Sequence, residues 1–456
     1  MELRPYQLEI ARAVLGSIES RRGLTFSVEI ARQGGKNELS AHIGVLLLTM
    51  FMARGGSAVK CSPTFKPQTI ISMMRLKQRL DDFGFEGIWE AEMGYIIRLG
   101  SARQVFLSAE ESSSVVGHTA DILLEIDESQ DVGKDKYTRD FRPMASSTNA
   151  TTVHYGTPWD DASLLEEVRL LNLELEKTDG LKRHFRFDWQ EVAKYNPGYR
   201  AFVEAERLRL GADHPLFLSQ YALLPIRSTG GFLSRAQIAI LQGTHGRQAR
   251  RQAEGKTYVA GLDLAGEAEV TAEPGMTPRG RDAAVLTVAE LSLPAGDALI
   301  NEPRIEVVEH YSWVGRKHPE LYRELLHILK HTWRCGCIVV DATGVGEGVA
   351  SFLREALGNR VVPFKFTQAS KSALGFNLLA AVNSGRLSLY RGDGSADCRE
   401  LMFELERVRS ISRPNRTINF FVDPADGHDD YLISLALCVE AAGRLMPRKA
   451  AGIVRE

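Results

Sequence analysis

Two stretches of this chain carry side chains whose types and order suit phosphate chemistry. The first, EIARQGGKNE (29–38), closes a strand-like run (LTFSVEIA, 24–31) and precedes a helical one. Gly34 and Gly35 permit a tight loop whose backbone N–H groups turn toward phosphate oxygens. Lys36 then opens a helix, where its ammonium and the helix N-terminus both favour an anion. The general phosphate-loop pattern is GxxxxGK followed by Ser or Thr. Here Ile30 holds the first glycine position and Asn37 replaces the hydroxyl. An ordinary strand-to-helix turn reads the same way, so the loop alone decides nothing. The second stretch, DILLEIDES (121–129), is an apolar strand ending in Asp127 and Glu128. Nucleotide hydrolysis needs that layout, with Asp127 holding Mg²⁺ directly or through water and Glu128 polarising the attacking water as general base.

Smaller signals surround these two. Arg32, inside the loop beside Gln33, is read as an arginine finger acting in cis on a γ-phosphate, with a plain surface arginine as the alternative. Gln7, in RPYQ, has an amide that can both donate to and accept from an adenine edge. TVHYGTPW (152–159) ends in small and hydroxyl residues, which puts Thr157 where a γ-phosphate sensor belongs.

A different chemistry is written in the second half. Asp263 closes YVAGLDLA, Asp341 closes CIVVD ahead of a glycine-rich turn, and Asp429 and Asp430 open the helix DDYLISLAL. Each has a bland alternative: a turn residue for the first two, a favourable helix-dipole position for the pair. Together they can converge, because open α/β sheets gather ligands at the carboxyl ends of their strands. Converging carboxylates repel unless cations neutralise them, which implies two Mg²⁺ or Mn²⁺ about 3.5–4 Å apart, the arrangement that cleaves phosphodiesters. His428 is either an orienting group or a surface residue, and Asp282 is a weaker candidate for an auxiliary acid.

These residues need a scaffold. Residues 1 to about 160 alternate strand-like and helix-like segments, which implies an α/β sheet, and 161–225 read as a helical linker subdomain. The polar, basic stretch THGRQARRQAEGK lies in an expected linker at 226–255, and a second strand series fills 256–456. At 456 residues, 44% hydrophobic and 25% charged, the chain is expected to fold as more than one domain. Net charge is −2, so nucleic-acid binding must come from local patches such as GRQARRQ (246–252) and RVRSISRPNR (407–416). Five cysteines without framework spacing suggest reduced thiols, and Cys335-Gly-Cys337 reads as buried strand rather than half a metal site. GVLLLTMFMA (44–53) is too short to span a bilayer, and MELRPYQLEI lacks a signal core, so no membrane association is expected.

In this order, RPYQ, IARQGGKNE, LLEIDE, HYGTP, GLDLA, VVDATG and GHDDY resemble the large terminase subunit of tailed bacteriophages over nearly the whole chain. The resemblance implies an N-terminal P-loop ATPase of the ASCE type (1–225) and a C-terminal RNase H-like nuclease. It implies ATP with Mg²⁺ in the first and two Mg²⁺ or Mn²⁺ in the second. Lys36 would bind phosphate, Asp127 hold Mg²⁺, Glu128 act as base, Arg32 as finger, and Gln7 contact adenine. Thr157 would couple hydrolysis to movement, and Asp263, Asp341 and Asp429 would hold the nuclease metals. It further implies a motor that pumps double-stranded DNA into a procapsid and cuts the concatemer, with portal protein and small terminase subunit as partners. Such a motor would work as a homo-oligomeric ring on the capsid and be a monomer alone. It would act in the host cytoplasm at the portal vertex and be absent from the mature virion. The alternative is a helicase-like or recombination ATPase whose C-terminal domain binds DNA without cutting it.

Overall fold

A computed structural model describes residues 2–445 apart from 111–112, 114, 116, 227–228, 253–254, 265–282, 294–301, 317, 345 and 414. The chain forms two compact units, one of residues 1–204, 215–228 and 414–416, the other of 205–214, 229–413 and 417–456. The Pro- and Gly-containing stretch EAEVTAEPGMTPRG (267–280), and Asp282 with it, lie outside the described residues.

The first unit is built on an eight-stranded sheet of β1 (Thr25–Ile30), β2 (Gly56–Ser62), β3 (Glu90–Glu92), β4 (Ile96–Leu99), β5 (Ala102–Ser108), β6 (Leu123–Ile126), β7 (Thr151–Gly156) and β8 (His184–Phe187), ordered 3-4-5-2-6-7-1-8. From β5 to β8 all neighbours are parallel. Parallel strands are covered on both faces, which is why β6 and β7 are buried along their whole length. Around the sheet lie α1 (Pro5–Glu19), α2 (Lys36–Phe51) and α3 (Ile70–Asp82). The apolar run at 44–53 is the second half of α2, with Leu47 and Leu48 buried and Leu46 and Met50 facing out. Among the described residues no helix is long and apolar enough to cross a membrane.

Two expectations need correction here. The stretch 161–225 is not purely helical, because His184–Phe187 adds β8 parallel to β1 at the sheet edge. Only four residues long and interrupted by His184 and Arg186, it lacks the apolar run by which the other strands are recognised. The stretch 226–255 is not free linker either. From 229 onward it belongs to the second unit, where β9 (Thr229–Gly231) pairs with a strand at 409–412 and Ser234 caps a helix over Arg235–Leu241. Arg247 there pairs with Glu309, Asp393 and Asp397, which pins the basic segment to the unit's own acidic residues.

The second unit holds β10 (Thr257–Asp263), β11 (Ala283–Ser292), β12 (Arg304–Val314), β13 (Cys337–Asp341), β14 (Val361–Phe364) and β15 (Leu387–Ser388), ordered 14-13-10-11-12-15. β10 runs parallel to β13 and antiparallel to β11. A three-stranded sheet joins β9 with β16 (Arg409–Ser412) and β17 (Ile418–Phe421). All five cysteines are free thiols, and Cys335 and Cys337 are buried. The C-terminal helix Asp430–Arg444 packs on β10, β11 and β13. Its close approach depends on Gly261, because a Cβ there would lie 2.2 Å from Cys438 N and Ser434 O. Both obstacles are backbone and cannot rotate away. Gly261→Ala is therefore expected to destabilise this unit by about 1–3 kcal/mol, measured by thermal unfolding of the full chain. An unchanged melting profile would contradict the close packing.

Candidate nucleotide and metal sites

In the first unit, β1 delivers the phosphate loop and β6 the acidic pair. Residues 31–35 form the turn and α2 starts at Lys36, with Gly35 at φ 92° as its N-cap. Gln33 takes φ 59° and Glu128 φ 47°, a left-handed conformation that costs a non-glycine residue of order 1–3 kcal/mol and concentrates at functional sites. The loop is held from outside by α1: the Tyr6 hydroxyl donates to Gly34 O at 2.6 Å, and Gln7 Nε2 donates to Gly35 O at 2.9 Å. Gln7 also closes the capping box of α1 by accepting from Arg4 N at 2.8 Å. Each end of its amide is thus engaged once, so the adenine contact expected of Gln7 would share that amide with the loop backbone.

The loop and Glu128 meet in one cleft of about 510 Å³, whose walls include Arg32, Lys36, Asn37 and Thr157. Lys36 Nζ lies 3.0 Å from Glu128 Oε1. Burial works to raise the Glu128 carboxyl, but the Lys36 ammonium and the Arg416 guanidinium outweigh it and pull it down to about 2. Glu128 Oε2 accepts from Gln130 Nε2 at 2.7 Å, and Gln130 Oε1 in turn accepts from Thr157 N at 3.2 Å. Gln130 thus links the base candidate to the sensor candidate. It escapes sequence reasoning because a glutamine two residues past the pair carries no pattern of its own. The sequence shows Arg416 only as the end of the basic stretch 407–416, not as part of this cleft. This arginine belongs to the first unit and pairs with Glu128 Oε2 at 3.0 Å and Asp131 Oδ2 at 2.7 Å. Arg409, in the other unit, is paired with Asp423 and Asp426. Phosphate binding by the 407–416 stretch would have to compete with these ion pairs.

Arg32 lies on the cleft wall, its Nη1 donating to Gln220 Oε1 at 2.6 Å and its carbonyl accepting from the Tyr199 hydroxyl at 3.0 Å. Asp127, 4% exposed, is buried behind the wall. One of its oxygens accepts from Glu128 N at 3.1 Å, and the other takes the Ser72 hydroxyl at 3.4 Å and lies 3.6 Å from Lys60 Nζ. A hydrated Mg²⁺ reached through water suits this placement better than a direct bond.

The second unit brings the aspartates into one neighbourhood. Leu262 is in register with Val340, so Asp263 and Asp341 end adjacent parallel strands. Asp429 is the N-cap of the C-terminal helix and Asp430 its first residue. Burial raises the Asp263 carboxyl well above its ordinary value, and the charges of Asp430, Asp341 and Asp429 raise it further. Burial raises Asp341 as well, opposed by its hydrogen bond from Thr343 N at 2.8 Å. Asp430 Oδ2 accepts from Ala283 N at 2.7 Å, so part of its role is to tie the helix to β11. Among the described residues no three ligating side chains stand close enough to chelate an ion as they are. The carboxylates fit divalent cations by donor chemistry and by mutual repulsion, and a cation would have to draw them together. His428 immediately precedes the pair and enters no metal-holding group among the described residues.

Residues 262–437 match the family model described as the terminase RNaseH-like domain. No curated protein matches the chain by sequence. Among solved structures the chain is similar to the large terminase of a thermophilic bacteriophage, with a TM-score of 0.55 and 12% identity over 96% of this chain and 99% of that one. A structure of that phage's large terminase in complex with ADP is similar at a TM-score of 0.53, 12% identity and the same coverage.

The raised Asp263 carboxyl gives a signed expectation. A carboxyl that folding raises favours the native state below its unfolded value and loses that contribution as pH climbs through the folded one. At neutral pH, without divalent ions, Asp263 therefore burdens the fold, whether as a crowded anion or through the proton that folding obliges it to keep. Asp263→Asn should stabilise the EDTA-treated protein at pH 7.5 by on the order of 1 kcal/mol, with the gain shrinking toward acid pH. Thermal unfolding across pH in EDTA measures this, and a variant less stable than the parent at pH 7.5 would refute the crowded-carboxylate picture.

Proposed function

We propose, from a chain whose residues 262–437 are a terminase RNase H-like domain and which has the fold of a phage large terminase over nearly its full length, that the protein is the ATP-driven DNA-packaging motor and nuclease of a tailed phage. The observation that carries the reading is the meeting of Lys36 and Glu128 at 3.0 Å in a cleft floored by a glycine loop. Such a cleft offers a triphosphate both a cradle and a base. In the other unit, the electrostatically coupled aspartates supply a second and chemically different centre.

The residues divide the work as follows. Backbone N–H groups of the loop and the start of α2 bind the phosphate chain. Lys36 moves from Glu128 to the phosphates, since a polyanion outcompetes one carboxylate for the ammonium. Freed of that partner, Glu128 rises from its depressed value toward the range in which a carboxylate accepts a proton from water. Arg32 reaches the γ-phosphate from the wall, and the Gln130 bridge reports the state of Glu128 to Thr157. Magnesium, when bound, supplies neutralisation of the phosphate charge at this site. At the second centre Asp263, Asp341 and Asp429 hold the divalent ions, and Asp430 fixes the helix that presents Asp429. The substrate is double-stranded DNA, held mostly through its backbone in a salt-dependent manner. Portal protein, small terminase subunit and a ring of copies complete the motor at the procapsid in the host cytoplasm.

Lys36→Ala is expected to abolish ATP hydrolysis while sparing cation-dependent cleavage of plasmid DNA. Asp341→Ala is expected to do the reverse. Purified full-length protein assayed with Mn²⁺ against EDTA tests both, and loss of both activities in either folded single variant would contradict two independent centres.

A further inference from the structure

Behind the nucleotide cleft lies a buried ammonium for which the hydrolysis reading has no use. Lys60, in the middle of β2, is 3% exposed. A lysine seldom stays charged in such a place without close partners, because desolvation costs several kcal/mol. Its partners are specific. Lys60 Nζ donates to Ser40 Oγ at 2.8 Å and lies 3.6 Å from Asp127 Oδ2. In register, Lys60 stands opposite Glu125 on β6. Because side chains alternate along a strand, Glu125 and Asp127 face the same side of the sheet. One ammonium thus pairs with Asp127 and, from further off, lowers the cost of the charge on Glu125. Ser40 sits one turn into α2, the helix that Lys36 opens, and its hydroxyl also bears on Glu125. The Ser72 hydroxyl from α3 steadies the Asp127 oxygen that faces Lys60.

We propose that Lys60 is a positioning residue that latches Asp127 away from the cleft and thereby sets how tightly the nucleotide site takes a divalent cation. The ammonium and the cation compete for one carboxylate. When the cation draws Asp127 toward the cleft, Lys60 shifts its charge to Glu125, the second carboxylate on the same face. The contact with Ser40 ties this exchange to α2, so loading of phosphate at the start of that helix and release of Asp127 move together.

This inference rests on the ATPase reading, and its test separates the two. Binding of a fluorescent ADP analogue to the full-length protein is titrated with Mg²⁺, a readout blind to the second centre, alongside the Mg²⁺ dependence of steady-state ATP hydrolysis. Lys60→Met keeps the length and removes the charge. It should lower the half-saturating Mg²⁺ about tenfold, a shift of about 1.4 kcal/mol, which lies between the fully and the partly screened worth of a unit charge at this distance. Ser40→Ala leaves the ammonium to the carboxylates alone and should raise half-saturation about threefold, the opposite sign. A role confined to fold stability would lower the melting temperature and leave both Mg²⁺ curves unmoved. If Lys60→Met is folded and its curve is unchanged or shifted upward, the latch is overturned. If that variant does not fold, an unchanged or lowered half-saturation in Ser40→Ala overturns it. A parent protein whose nucleotide binding ignores Mg²⁺ altogether would instead sink the ATPase reading.

Discussion

Carboxylates crowded together need positive charge close by, and the two units meet that need in different ways. In the first, Glu128 has Lys36 and Arg416, while Asp127 has Lys60. Each anion is satisfied by a side chain that the proposed chemistry requires to let go. In the second, burial drives the Asp263 carboxyl upward, and the charges of Asp430, Asp341 and Asp429 drive it further. The contrast separates the two centres chemically. One is poised by internal ion pairs that a polyanion can exchange, and the other by mutual repulsion that an added cation relieves.

The same contrast explains what could be read from the chain. Apolar runs that end in acid, such as LLEIDE and CIVVD, announce both a buried parallel strand and a carboxylate at its tip, so the strands and the candidate residues they carry were legible together. Gln7 was legible only as an amide suited to an adenine edge, because the sequence does not show that Gly35 O and Arg4 N already engage it. Lys60 hides inside SAVKCSP, where one charged residue in an apolar strand reads as noise. Its meaning comes from Glu125 on the neighbouring strand, and strand adjacency is fixed by the fold alone. Within the basic stretch 246–252, Arg247 likewise looks solvated until Glu309, Asp393 and Asp397 are brought to it.

Backbone strain marks the nucleotide site independently of charge. Gln33 and Glu128 both line the cleft and both sit in left-handed conformations that glycine would occupy more cheaply. At Glu128 a glycine is excluded by the need for the carboxylate, so the strain is accepted where the side chain is needed. The neighbouring network of Gln130, Thr157 and Asp131 holds that conformation in place.

The strand that escaped recognition has a colloidal consequence. β8 ends the sheet order, so its outer rim carries hydrogen-bonding groups without a neighbouring strand in that sheet. It is only four residues long, and Arg186 on it is exposed, its guanidinium donating to Ala222 O. A short rim bearing a fixed positive charge is a poor template for another molecule's strand. The brevity that concealed β8 in the sequence thus also protects concentrated protein from edge-to-edge aggregation.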